Sequence, residues 1–188
     1  MFLCKNNKPG FTLIEIMVVM VLIGIMAAVM VPTFRRSTPD QQRFKKISAL
    51  NELMQNAWQN AIVTDKLQKI EFNFGRQTIM LTQAKEGGLK EVDEQKFEPV
   101  GNNVTLNQLS WPEDYRIVNF YIGDKDQMRF GERETAWFFV VPDGLAQSVI
   151  INFVDDKASE ASEFTVNVSL VLNPFYVQFK EYNEFQRP

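Results

Sequence analysis

Carboxylates are the main candidates for acid–base chemistry in this sequence, because the chain has no histidine and a single cysteine, Cys4. The lack of histidine excludes the Ser-His-Asp and Cys-His nucleophile arrangements and most zinc sites. Asp155 with Asp156, or Glu132 with Glu134, could act as an acid and a base, but adjacent or near-adjacent acids are far more often solvated surface. No phosphate-binding loop, dinucleotide fingerprint or nucleophile elbow is present. We therefore predict no enzymatic activity, no metal and no cofactor.

One further carboxylate, Glu15, interrupts the apolar run of residues 11–31. A helix over this run would be long enough to cross a bilayer about 30 Å thick. A charged group at membrane depth costs about 2.5–3.5 kcal/mol, so it should persist only with a partner. The obvious cleavage signal, Pro9-Gly10, stands before the apolar run, whereas a secretory signal is cleaved after it. Cleavage there would keep the apolar segment, which predicts a membrane anchor.

The stretch PGFTLIEIMVV around this signal resembles the N-terminal motif of type IV pilins and type II secretion pseudopilins. The resemblance implies that a prepilin peptidase cleaves between Gly10 and Phe11 and methylates the new amine of Phe11. Glu15 would then pair with the Phe11 amine of its own or a neighbouring subunit and set the axial register. Heterologous contacts of this kind build helical filaments. The simpler alternative is a signal anchor that tolerates one polar residue.

Two helical segments are predicted before about residue 65. Pro32 should weaken or kink the first segment, and Pro39 interrupts it again. Thr38 and Gln41 have the spacing of a capping box, with Pro39 as the first helical residue. The next segment predicts an amphipathic helix to about Val63, because apolar residues recur every three or four positions. These residues are Phe44, Ile47, Leu50, Met54, Ala57 and Ala61. The basic residues between positions 35 and 46 could meet anionic headgroups or acidic neighbours, and both readings stay open.

Beyond about residue 65, the apolar period changes to that of strands. Residues 67–75 and the segment after them predict a hairpin, and a PDG turn is predicted at residues 142–144. Other candidate strands are residues 103–109, 115–122, 135–141, 147–154 and 163–171. The acidic stretch 154–163 lacks the ligand spacing of a calcium loop and predicts a solvated connection.

Aromatic residues of this half are expected mainly in the core. Trp111 and Trp137 stand among apolar neighbours, which favours burial. Phe175, Val177 and Phe179 should share one face of the last strand, and Tyr176 and Gln178 the other, because side chains alternate along a strand. One of these faces should belong to the core, and the other could contact a neighbouring subunit.

The predicted fold class is α+β, of the pilin-like type. A long hydrophobic N-terminal helix has a membrane-spanning half and an amphipathic half, and the latter packs on a C-terminal antiparallel β-sheet domain. The predicted parts are a cleaved leader (1–10), a transmembrane and assembly helix (11–36), an amphipathic helix half (37–65) and a periplasmic sheet domain (66–188). The order of helix, early hairpin and late strand–PDG–strand–strand most resembles the H-type minor pseudopilins and their pilus relatives, the GspH/FimT group. Many relatives end with a Thr-Gly-Arg turn, which is Leu-Asn-Pro here, at residues 172–174.

The resemblance implies a structural role as a minor pseudopilin near the tip of the periplasmic pseudopilus, which helps to drive protein export across the outer membrane. The expected partners are other pseudopilins, the prepilin peptidase and methyltransferase, the inner-membrane assembly platform and membrane lipid. The expected location is the bacterial inner membrane, crossed once, with the C-terminal domain in the periplasm. One alternative is a minor type IV pilin that primes pilus assembly or binds DNA, although a formal net charge of −3 does not favour nucleic acid. Another is an anchored binding protein or enzyme that never polymerises.

Overall fold

The computed structural model describes residues 12–35, 38–86, 96–100, 106–129 and 134–188. The chain divides into two units, residues 1–38 and residues 39–188. The first unit contains helix α1 (Leu13–Arg35), whose Leu, Met and Ala residues favour a helix. Large apolar side chains from Leu13 to Met26 are 46–81% exposed along this helix. No helix in the described ranges is long and apolar enough to cross a membrane, so the predicted single span is not confirmed.

The second unit begins with helix α2 (Pro39–Thr64), which starts at the predicted proline. Its buried face consists of Ile47, Leu50, Leu53, Met54, Ala57 and Ala61. The predicted apolar period therefore gives the buried face correctly from Ile47 onward. The expectation for Phe44 is wrong, because this side chain is 69% exposed. Phe44 lies one helical turn before Ile47, where the core packed against α2 ends.

Ten strands follow in the described residues, all paired antiparallel. The bounds are β1 (Gln68–Asn73), β2 (Thr78–Ala84), β3 (Phe97–Pro99), β4 (Gln108–Ser110), β5 (Tyr115–Ile122), β6 (Lys125–Asp126), β7 (Thr135–Val140), β8 (Val149–Asp155), β9 (Asn167–Asn173) and β10 (Gln178–Tyr182). Sheet 1 has the order β3-β2-β1-β7, and β4 also pairs with β2. Sheet 2 has the order β10-β9-β8-β5-β6. The predicted hairpin is the β1–β2 pair, in which Asn73 lies opposite Thr78.

The predicted antiparallel β-sheet domain therefore consists of two sheets, and they share one core with α2. Phe72, Phe120, Phe138 and Phe153 are its largest fully buried side chains. Phe72 contacts Phe120 edge to face, with ring centroids 5.0 Å apart, which links sheet 1 to sheet 2. The predicted α+β class is confirmed by this arrangement of helix α2 on antiparallel sheets.

Two aromatic residues lie outside the core, against expectation. Trp137 is half-exposed on sheet 1, where the Lys69 Nζ lies 4.8 Å from its ring centroid. Phe175 is exposed because it lies in the turn before β10, whereas Val177 and Phe179 are buried. Trp111 packs against the core as predicted, and its indole N–H donates to the Tyr115 carbonyl oxygen at 2.9 Å.

Candidate functional site

Glu15 lies in the first turn of helix α1. Its backbone N–H donates to the carbonyl oxygen of Thr12 at 3.1 Å and to the Thr12 Oγ1 at 3.3 Å. Thr12 thus caps the helix, because its hydroxyl accepts from a first-turn N–H group that has no partner within the helix. A carboxylate at this position is also favoured by the positive end of the helix dipole. The sequence signal for this cap is the Thr-x-x-Glu spacing of residues 12–15, which our sequence analysis missed.

The surroundings of Glu15 are apolar and exposed. It is the one charged side chain between residues 12 and 34 of the sequence. Leu13, Ile14 and Ile16 beside it are each about half-exposed or more. Glu15 forms no ion pair with any residue in the described ranges. The geometry therefore leaves one carboxylate available to a partner outside the described part of the chain.

The other residues predicted for this site have different outcomes. Gly10 and Phe11 lie outside the described residues, so their roles in cleavage and methylation stay predictions. Helix α1 continues to Arg35, three residues past Pro32. Helix α2 begins at Pro39, and Thr38 before it is not helical. The break between the two helices therefore precedes Pro39.

A second cluster of charges surrounds Arg43 on helix α2. Its guanidinium donates to Glu181 on β10 at 2.8 Å, to Asp155 at the end of β8 at 3.1 Å, and to Asp40 at 2.9 Å. Burial alone would lower the pKa of Arg43, but the hydrogen bonds to Glu181 and Asp155 outweigh it and raise that pKa above its ordinary value. A planar guanidinium with several donors suits this three-way contact better than an ammonium group. The cluster therefore fixes α2 to both β8 and β10.

Asp155 and Asp156, the pair weighed as a catalytic acid and base, have separate structural roles. Asp155 is buried, and its Oδ1 accepts from the Ala158 N–H at 2.9 Å as the N-cap of helix α3 (Asp156–Ser162). Asp156 pairs with Arg116 at the surface, at 3.1 Å. The expectation of a solvated connection at residues 154–163 is thus wrong for Asp155, because this residue faces the Arg43 guanidinium and starts a helix.

Tyr115 lies beside this cluster and has a strongly perturbed hydroxyl. Burial, and secondarily the negative charge of Asp155, raises the pKa of Tyr115 to about 12. Its ring stacks on Phe153, with centroids 4.9 Å apart. The phenol thus stays protonated at neutral pH and acts as a packing residue in this arrangement.

Comparison with known proteins finds a family match in the N-terminal segment. The family model of the prokaryotic N-terminal methylation motif matches residues 5–31. This match includes Gly10, Phe11 and Glu15. The type II secretion system core protein G of Pseudomonas aeruginosa is 54% identical over 39 residues, which are 21% of this chain. The matched part spans 27% of that protein's length.

Two solved structures resemble the chain over a larger share of its length. Both are of EpsH, the minor pseudopilin of the type 2 secretion system of Vibrio cholerae. One is 13% identical and covers 74% of this chain and 95% of that chain, with a TM-score of 0.44. The other is 16% identical and covers 76% and 96%, with a TM-score of 0.47.

Proposed function

We propose that the chain is a pseudopilin-like protein of a type II secretion system and a minor subunit of the pseudopilus, near the tip of the fibre. One observation carries the proposal. A single carboxylate, Glu15, lies in the capped first turn of a helix whose apolar side chains are exposed, within the matched methylation motif. A carboxylate in such surroundings requires a positively charged partner. Cleavage between Gly10 and Phe11 would supply one, the α-amine of Phe11.

The pairing gives Glu15 a role in assembly. The Phe11 amine of one subunit and Glu15 of the next would form a heterologous contact, which repeats along a fibre without closing. In the apolar surroundings of packed helices, this ion pair would be stronger than at a solvated surface. The register of each incoming subunit would therefore follow from one charge pair.

The remaining parts of the proposal concern location and partners. We propose that helix α1 anchors the chain in the bacterial inner membrane before assembly and that residues 39–188 lie in the periplasm. The partners would be other pseudopilins, the prepilin peptidase, the inner-membrane assembly platform and membrane lipid. We propose no catalytic role, because Asp155 and Asp156 are both engaged in structural contacts.

The first test is Glu15→Val. We expect cleavage to remain normal and incorporation into the fibre to fall about tenfold or more, because the loss of a desolvated charge partner costs more than about 1.4 kcal/mol. Incorporation is measured as the fraction of the chain in sheared fibres. The control is Glu52→Val, which removes an exposed glutamate of α2. Normal incorporation of the Glu15 variant would refute the register role.

A second test separates the secretion pseudopilus from a type IV pilus. Residues 39–188 form a compact unit with its own core, so this part can be purified alone. We expect it to bind tip subunits of the secretion system in a pull-down. Selective binding to minor subunits of a pilus would instead support the alternative, with the same N-terminal chemistry.

A further inference from the structure

The turn between β9 and β10 has an unfavourable backbone conformation. Val177 has a φ of +49°, in the left-handed region that β-branched residues rarely adopt. Its side chain is fully buried, so it also contributes to the core. Strain of this kind persists only where the surrounding structure imposes it, and it is concentrated at functional sites. The contacts that impose it here are therefore informative.

Two polar side chains hold this turn. The Asn173 Oδ1 accepts from the N–H groups of Phe175 and Tyr176, at 2.9 and 3.2 Å. The Gln55 Nε2, on helix α2, donates to the carbonyl oxygens of Tyr176 and Val177, at 3.0 and 3.3 Å. The conformation is thus determined from within the turn and from the helix that packs beside it.

The conformation places two aromatic side chains in solvent. Phe175 and Tyr176 are 71% and 74% exposed, although they lie between the buried residues Leu172 and Val177. An aromatic ring in water contributes little to the stability of its own domain. The polar contacts of the turn therefore fix the position of two rings that add little to the stability of the domain.

Other exposed apolar residues lie beside this turn. The Ala146 N–H donates to the Pro174 carbonyl oxygen at 2.9 Å, which joins the β7–β8 loop to the turn. Leu145 on that loop is exposed, and the loop's Gly144 lies against Ile62 of α2. We refer to Ile62, Leu145, Phe175 and Tyr176 as the aromatic patch. It lies beside the C-terminal half of helix α2, between the levels of Gln55 and Ile62.

Two exposed acids border the aromatic patch in sequence, and the cation beside Asp65, Lys66, pairs with Glu98 at 3.8 Å. Asp143 precedes Leu145 by two residues, and Asp65 follows Ile62 by three. Both are exposed, and neither pairs with a cation in the described part of the chain. An apolar centre with a charged rim is the usual composition of a protein–protein contact, and aromatic residues often dominate its binding energy. The charge of the rim favours a partner with lysine or arginine around an apolar pocket.

We propose that the aromatic patch is the docking surface for another pilin-like subunit of the same fibre, one with an apolar pocket bordered by basic residues. This inference rests on the proposed function, which supplies the class of partner. Two copies of this chain docked patch to patch would bring Asp65 and Asp143 against like charges. The contact is therefore heterologous, as growth along a fibre requires.

The test places a photo-crosslinking aromatic amino acid at position 176 of the full-length chain in cells that make the fibre. The control position is Phe164, an equally exposed aromatic in the connection between α3 and β9. We expect a crosslinked product at position 176 that mass spectrometry identifies as another pilin-like subunit, and none at position 164. Phe175→Ser should lower its yield about tenfold. A product with a second copy of this chain, a product with any other protein, or no product above the control would overturn the proposal.

A second comparison tests whether the turn presents the patch. Gln55→Ala removes both amide contacts to the turn, whereas Gln59→Ala changes an exposed glutamine one helical turn later. We expect the yield of the crosslink at position 176 to fall several-fold in the Gln55 variant and to persist in the Gln59 variant. Circular dichroism should show that both variants are folded. Equal yields would overturn the proposed role of the turn.

The outcome is separable from that of the proposed function. If Glu15→Val blocks incorporation while position 176 gives no specific crosslink, the assembly role stands and the docking surface is wrong. If Glu15→Val assembles normally, the assembly role fails whatever the crosslink shows.

Discussion

Helices α1 and α2 follow each other in the chain but bury their apolar residues differently. The large apolar side chains of α1 are exposed from Leu13 to Met26, whereas α2 buries six residues against the sheets. An exposed apolar surface of this extent is unfavourable in water and is typical of a segment that contacts lipid or other proteins. The comparison teaches that α2 shares the core of the second unit with the sheets, whereas the large side chains of α1 from Leu13 to Met26 contribute no buried apolar surface.

The largest expected effect comes from truncating one leucine in each helix. Leu53→Ala removes a fully buried side chain of α2 and should lower the free energy of unfolding by about 2–5 kcal/mol. Leu22→Ala removes an exposed side chain of α1 and should change it by less than about 0.5 kcal/mol. Urea unfolding of the full chain in detergent can be followed by tryptophan fluorescence, because all three tryptophans lie after residue 57. A similar loss in both variants would show that α1 also supports the domain.

The second prediction concerns the charge cluster that attaches α2 to sheet 2. Arg43→Met leaves the buried Asp155 without its cation and should cost about 3 kcal/mol in the free energy of unfolding. Arg116→Met breaks an exposed pair with Asp156 and should cost less than about 1 kcal/mol. Both are measured by urea unfolding at neutral pH. Equal losses would mean that burial adds nothing to the Arg43 contacts.

Sequence reasoning found the parts of this fold that depend on local pattern. The period of α2 identified its buried face, and Tyr115–Ile122 forms the predicted strand. The N-terminal motif identified Glu15 by its position after Pro9-Gly10 in the sequence. Such features are encoded by neighbouring residues, so a single sequence is enough to read them.

The errors concern places where distant elements meet. Phe44 continues the apolar period but lies beyond the end of the core. Asp155 is buried because Arg43, 112 residues earlier, supplies a cation. Phe175 is exposed because Asn173 and Gln55 fix the turn around it. In each case burial depends at least in part on contacts between distant parts of the chain, which no local pattern contains.

The third prediction is a loss of stability at alkaline pH. The pKa of Tyr115 is raised to about 12 in the folded domain, so an unfolded chain loses this proton first, near pH 10. The unfolded state then binds fewer protons than the folded state, and stability falls as the pH rises from about 10 to 12. The full loss corresponds to about 3 kcal/mol, because the folded pKa of about 12 lies well above the ordinary value near 10.

Tyr115→Phe is the control for that titration, because it keeps the ring that stacks on Phe153 and removes the ionisable hydroxyl. Between pH 10 and 12, the free energy of unfolding of the native chain should fall relative to that of the variant, because only the native chain carries this titrating hydroxyl. Parallel pH profiles of the native chain and the variant would show that the pKa of Tyr115 is not raised in the folded domain.

The smallest expected effect compares a glycine in each region. Gly144 has a φ of +80°, and an added Cβ would lie 2.9 Å from the Trp58 Nε1 on α2. Gly144→Ala should therefore lower the free energy of unfolding by about 1–2 kcal/mol, because the left-handed backbone and the close contact both resist a side chain. An added Cβ at Gly24 would meet nothing within 4 Å, so Gly24→Ala should leave the unfolding of the second unit unchanged. If Gly24→Ala also lowers incorporation into the fibre while unfolding stays the same, then Gly24 allows a close approach of helices in assembly, as the proposed function requires.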